Sequence, residues 1–259
     1  KVERKTVFQQ APLLYDLTAL QKDCNIHHDL SADKTLSIAQ SLYEKKLVSY
    51  PRTGSRYIPE DVMAHVPALL EKVISMPWFR EYGRTFDLSG LNTRSVDATK
   101  VTDHHAVIPT RNLQNADLSG LPVGERMILE LVALRLLCAV AEPHTYSETA
   151  VTVECAGAAF TTKGKTVKRP GWRALDAAYR AALKNAEPDK ETEDKALPDG
   201  GRLPELSEGQ TLPLSGATVK EGKTSPPKHF TEDTLLSAME TAGKDDMPED
   251  AERQGLGTP

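Results

Sequence analysis

An α+β fold is what this sequence predicts, and three observations predict it. Apolar residues recur at helical spacing through the first 141 positions, they alternate with polar ones after Ser147, and composition shifts between the two regions. Leu13, Leu17, Leu20 and Cys24 place an amphipathic helix over residues 12–24. Asn25 to Leu30 is a polar break. Ser31 stands where an N-cap belongs, because its hydroxyl can accept from the free amides of a first helical turn. Leu36, Ala39, Leu42, Tyr43 and Lys46 then continue a second helix, with Tyr43 on its apolar stripe. Leu47 to Tyr50 reads as extended. Two helices, a short break and an extended piece predict a winged-helix-like helix-turn-helix. A plain two-helix packing unit is the alternative. Asp61 to Val73 is expected to be helical and Pro77 to Asp97 irregular. Glu125 to Ala141 predicts a long helix with Ile128, Leu131, Leu134, Leu137 and Cys138 on one side.

The second region begins near residue 142. Thr149, Val151, Val153 and Cys155 share one face of a strand expected over Ser147 to Phe160. Thr166 to Arg169 and Thr211 to Lys220 also read as strands. Residues 185–202 are rich in Glu, Asp, Lys, Pro and Gly, which predicts a solvated insertion. Helical patterning returns at Glu232 to Ala242. No stretch is apolar for long enough to span a bilayer. The three cysteines, Cys24, Cys138 and Cys155, are far apart and form no Cys-x-x-Cys pair, so thiolate metal binding is not expected and a reducing cytoplasm fits. The net charge of −5 argues mildly against nucleic-acid binding, but acid is concentrated in 187–199 and 245–252 and leaves other stretches basic.

Chemistry concentrates in Ser49-Tyr50-Pro51-Arg52-Thr53-Gly54-Ser55-Arg56-Tyr57. In an extended backbone, side chains two apart face the same way, so Tyr50 and Arg52 would share one site. A phenol attacks poorly near neutral pH because its pKa is near ten. A fixed cation beside it favours the phenolate and also neutralises charge that builds on phosphorus. That pairing suits covalent attack on a phosphodiester. A surface tyrosine at the start of a loop is the bland alternative.

Residues Leu42 to Tyr57 resemble the nucleophile segment of the type IA DNA topoisomerases, nearest the bacterial topoisomerase III branch. Thr102-Asp103-His104-His105-Ala106-Val107-Ile108-Pro109-Thr110, Lys168-Arg169-Pro170-Gly171-Trp172-Arg173 and Pro226-Pro227-Lys228-His229-Phe230-Thr231-Glu232 follow in the family's order. The ending Gly255-Leu256-Gly257-Thr258-Pro259 is also similar to a family segment.

The resemblance implies part of a toroid. Residues 1–11 would be a first arch segment, 12–141 the winged-helix-like domain with the catalytic tyrosine, 142–225 the β-rich arch, and 226–259 the start of a base domain. Tyr50 would become joined to the 5′ phosphate of a cut single strand while another strand passes. Arg52 would clamp the phosphate, and His104 would hold or protonate a phosphate oxygen, with His105 behind it. Arg56 would contact DNA. Lys168, Arg169 and Arg173, with Lys163 and Lys165, would line a DNA channel, although a solvated charged face reads as well. The substrates implied are single-stranded DNA and negatively supercoiled or catenated duplex, with no ATP. Mg²⁺ would be held by an N-terminal toprim domain, and no Asp-x-Asp occurs in this chain. This chain alone is therefore expected to be inactive in strand passage. Gly54 stands where the family has an acid. The readings that compete with an enzyme are a non-catalytic helix-turn-helix DNA-binding module and a structural scaffold.

Overall fold

The computed structural model describes residues 1–77, 79, 90–186, 203–214, 216, 218–219 and 221–242. The chain divides into two units. One holds residues 1–10, 143–171 and 188–229, and the other holds 11–142, 172–187 and 230–259.

The smaller unit is a three-stranded antiparallel sheet in the order β1 (Val2–Gln9), β2 (His144–Cys155), β3 (Ala158–Arg169). Strand β1 lies along β2 with Thr6 opposite Ser147, so the N-terminus reaches a strand far along the chain. The single strand expected over 147–160 is interrupted. Ala156 and Gly157 take φ of 50° and 80° and close a two-residue hairpin turn. Positive φ at both central positions matches the right-handed twist of the flanking strands, and glycine accepts it without strain. A bulge between Thr145 and Tyr146 shifts the register so that Arg169 pairs with Thr145. The strand expected over Thr211 to Lys220 is absent: its described residues join no ladder. Pro213 cannot donate to a ladder there.

The larger unit holds the core. Its first helix, α1 (Leu17–His28), is capped by Asp16, whose carboxylate accepts from Ala19 N at 2.7 Å. Ser31 caps α2 (Ala32–Glu44), accepting from Lys34 N at 3.2 Å. The helix expected over 61–73 is split into α3 (Glu60–Met63) and α4 (Val66–Ser75), because Pro67 starts a new helix better than it continues one. Helix α5 (Val123–Val140) buries Leu129, Val132, Ala133 and Leu136 as well as the expected Ile128, Leu131, Leu134, Leu137 and Cys138. It is apolar around most of its circumference because α1, α2 and α6 (Trp172–Ala186) all pack on it. Each such leucine or isoleucine contributes roughly 1.5–3 kcal/mol by leaving water.

Helix α6 was not expected. It sits in the stretch assigned from sequence to the β-rich block, yet it belongs to the helical unit through buried Leu175 and Tyr179. The last described helix, α7 (Glu232–Thr241), packs against α1 and buries Leu236. The acidic insertion over 185–202 lies outside the described residues apart from the backbone at the end of α6, as does the tail beyond residue 242.

Candidate active site around Tyr50

The nucleophile loop starts where α2 ends. Leu47 N donates to Leu42 O at 2.9 Å and Lys46 N to Tyr43 O at 2.7 Å, the paired bonds of a Schellman cap. Lys46 occupies the position that glycine usually fills, at φ 60°. Residues 47–49 then run antiparallel to 108–110, with Ser49 N donating to Ile108 O and Thr110 N to Leu47 O, both at 2.9 Å. The Ser49 hydroxyl locks this pairing, donating to Ala106 O at 2.9 Å and accepting from Ile108 N at 3.0 Å.

Exposure alternates along the loop. Pro51, Thr53 and Ser55 are buried, Arg52 and Gly54 are exposed, and Tyr50 and Arg56 are half-buried. Hydroxyls hold the underside. Thr53 Oγ1 donates to His104 O at 2.8 Å and accepts from Ser55 N at 3.1 Å, while Ser55 Oγ donates to Lys100 O at 2.8 Å. Leu17 N donates to Thr53 O at 3.0 Å and Val107 N to Tyr15 O at 2.8 Å, so the chain entering α1 clamps both halves of the loop. That entry is itself fixed. Tyr15 Oη donates to Asp23 Oδ2 at 2.6 Å, Arg135 pairs with the same oxygen, and its guanidinium lies 4.2 Å above the Tyr15 ring. Burial pushes the Tyr15 phenol well above its usual range.

Above this scaffold three rings form a row. Tyr50 stands 4.4 Å from His104 between centroids, tilted by 49°, and 5.3 Å from Tyr43, edge to face at 74°. The structure thus brings Tyr50 and His104 together. His104 is exposed, whereas His105 is turned aside with Nδ1 2.8 Å from Ala106 O. Tyr43, expected on an apolar stripe, is instead 40% exposed.

Arg52 makes no hydrogen bond to the Tyr50 phenol. It borders a polar hollow on α2 lined by Asp33, Ser37, Gln40, Ser41 and Glu44, with no ion pair among the described residues. Arg56, a candidate DNA contact, is paired with Asp16 at 2.9 Å. Burial raises the Asp16 carboxyl above its ordinary pKa, and Arg56 opposes that rise. Gly54 is not required by its backbone or its surroundings, since it lacks positive φ and an added Cβ would meet nothing within 4 Å.

The basic residues named from the sequence belong to two different units. Lys168 and Arg169 belong to β3 in the sheet unit, where Lys168 Nζ donates to Thr6 Oγ1 at 3.2 Å. Arg173 belongs to α6 in the helical unit, stacked on Trp172 at 5.7 Å. Among the described residues no three carboxylate, imidazole or thiolate side chains converge to hold a cation.

A family model described as DNA topoisomerase matches residues 1–259. The chain belongs to the type IA DNA topoisomerase family. Within it, the chain is similar to DNA topoisomerase 3 of Bacillus subtilis strain 168, at 41% identity over 233 residues. It is 40% identical over 232 residues to the Bacillus licheniformis enzyme of the same name. Each match covers 89% of this chain and 30% of the relative. The crystal structure of full-length topoisomerase I from Thermotoga maritima superposes with a TM-score of 0.59 at 18% identity, covering 94% of this chain and 37% of that one. The mixed α and β architecture is thus that of part of a type IA topoisomerase. No helix among the described residues is long and apolar enough to cross a membrane.

The reading of the sequence alone missed the hydroxyl pins and the Tyr43–Tyr50 contact. The seven-residue spacing of the two tyrosines was the available signal. The Schellman turn between them brings the second ring back beside the first.

Proposed function

We propose that this chain carries the DNA-cleaving tyrosine of a type IA topoisomerase, and that Tyr50 is that residue. The observation that carries the reading is the Tyr50 ring, half-buried on a hydroxyl-pinned loop, 4.4 Å from an exposed histidine ring. In the reaction the Tyr50 hydroxyl gives up its proton and its oxygen attacks a backbone phosphorus of single-stranded DNA. The bond from phosphorus to the 3′ oxygen breaks, and that oxygen leaves as a hydroxyl after taking up a proton. Tyr50 is left joined to the 5′ phosphate. Religation is the reverse: the 3′ hydroxyl attacks phosphorus and releases the phenol. One phosphodiester replaces another, so no ATP is consumed. His104 presents its ring nitrogens to a phosphate oxygen and passes a proton there. Arg52, unpaired over α2, swings to the phosphate and stabilises the added negative charge.

The helical unit is proposed as a winged-helix-like domain and the sheet unit as the arch of the toroid, acting in the cytoplasm on supercoiled or catenated DNA. The metal is proposed to be Mg²⁺, held by a toprim domain. Among the described residues of this chain no carboxylate, imidazole or thiolate cluster fits such a site. This chain alone is proposed to leave supercoiled plasmid unrelaxed in Mg²⁺, and relaxation would contradict that.

Tyr50→Phe in the full-length enzyme tests the central assignment. Denaturant-resistant protein–DNA adduct should form with the parent and fall to background in the variant. If the adduct persists in the variant, or never forms in the parent, the non-catalytic helix-turn-helix reading gains instead.

A further inference from the structure

From the end of α2 we infer that Tyr43, Lys46 and Arg111 form a second contact site for the single strand being cut, beside the scissile phosphate. The inference rests on the proposed chemistry of Tyr50 and extends it to residues outside the reacting centre.

Three observations meet there. The first is backbone strain. Lys46 sits at φ 60°, a left-handed conformation that is unfavourable for a residue other than glycine. It is held there from outside, because Lys46 O accepts from the Thr110 hydroxyl and from Asn112 Nδ2 at 3.3 Å. Glycine would cap α2 with less strain. A lysine contributes what glycine lacks, an ammonium at the mouth of the nucleophile loop.

The second is the distribution of charge. Three nearby cations are already neutralised: Lys45 by Glu125 at 2.5 Å, Arg56 by Asp16 at 2.9 Å and Lys100 by Asp97 at 3.0 Å. Lys46 and Arg111 are exposed and have no ion pair among the described residues. The bonds from Thr110 and Asn112 to Lys46 O bring Arg111, which lies between them, to the same edge. The carboxylates of Asp33 and Glu44 border the Arg52 hollow instead.

The third is the exposed ring. Tyr43 is 40% exposed while its edge-to-face contact with Tyr50 fixes its position. Exposed aromatic faces combined with unpaired cations are how single strands are bound without sequence preference: bases stack on the rings and phosphates pair with the cations. One base would stack on Tyr43 while Lys46 and Arg111 hold the flanking phosphates. The scissile phosphate then lies over Tyr50.

The test is fluorescence anisotropy of a short labelled oligodeoxythymidylate with this 259-residue chain and its variants. Tyr43→Ala should bind about tenfold more weakly and Tyr43→Phe should restore binding, because stacking needs the ring and not the hydroxyl. Lys46→Gly should lower the slope of log affinity against log salt by about 0.7, one phosphate contact on a single strand. The same variant should raise Tm by about 2 °C, so weaker binding cannot be blamed on misfolding. Parent-like affinity in Tyr43→Ala, or an unchanged salt slope in Lys46→Gly, overturns the inference. Adduct formation in the full-length Tyr50→Phe enzyme is read separately. If adduct survives there while the anisotropy results hold, the assignment of Tyr50 fails and the contact site stands.

Discussion

Arg52 is where residue-scale geometry departs most from the simple expectation. Side chains two apart are expected to converge, and exposure does alternate from Pro51 to Ser55, yet Arg52 lines a hollow on α2 and makes no hydrogen bond to the phenol. A cation held away from the phenol by no ion pair is free to move when a phosphate arrives. Arg52→Ala in the full-length enzyme should therefore slow cleavage by about 100-fold. Affinity for a single strand should change far less. Single-turnover cleavage of a labelled oligonucleotide measures the first, and anisotropy the second. An equal loss in both would assign Arg52 to binding alone. At the same scale Arg56 pairs with Asp16, the residue that caps α1, and so ties the loop to that cap.

The Ser49 hydroxyl bonds across to the segment that follows His104, and element-scale order depends on it. Replacing it removes two hydrogen bonds and leaves Ala106 O without that donor. Ser49→Ala should destabilise the helical unit by about 1–3 kcal/mol in urea denaturation. It should also loosen the Tyr50–His104 contact. An unchanged denaturation midpoint would contradict this account of how the loop is held. The elements themselves were partly legible in the sequence. Ser31 was readable as a cap, and the long apolar run marked α5, because local spacing determines both. Helix α6 and the β2–β3 turn were not read. The helix begins at Trp172, three residues after a strand rich in lysine, and the charge pattern there reads as a basic surface as readily as a helix start. The turn rests on Ala156-Gly157, a weaker signal than Asn-Gly. Tyr50 and His104 could be named from family resemblance, but their contact joins residues 54 positions apart, and spacing alone does not encode that.

At the scale of the whole molecule, stability should carry the mark of one carboxyl on the central helix. Burial pushes the Glu130 carboxyl up to about 7, and Arg126, 4.0 Å away, only partly opposes it. A carboxyl whose folded pKa lies above its unfolded value keeps its proton longer in the folded state. Its contribution therefore declines as pH rises from about 4.5 to about 7, and the charged form is disfavoured above that. Glu130→Gln should gain stability relative to the parent as pH rises through that window, as read by urea denaturation at several pH values. Parallel curves for the two proteins would contradict it. The long-range pairing of β1 with β2 is the other whole-molecule feature, and alternation within β1 could not show that its partner lies some 140 residues away.

The most direct test is to find which atom of the protein carries the DNA. The full-length enzyme is trapped on a single-stranded oligonucleotide, digested with nuclease and trypsin, and its peptides are sequenced by mass spectrometry. The nucleotide should be found on the peptide Leu47–Arg52, joined through phosphate to Tyr50. A nucleotide on any other residue, or a trapped complex with no covalent nucleotide, would contradict the assignment.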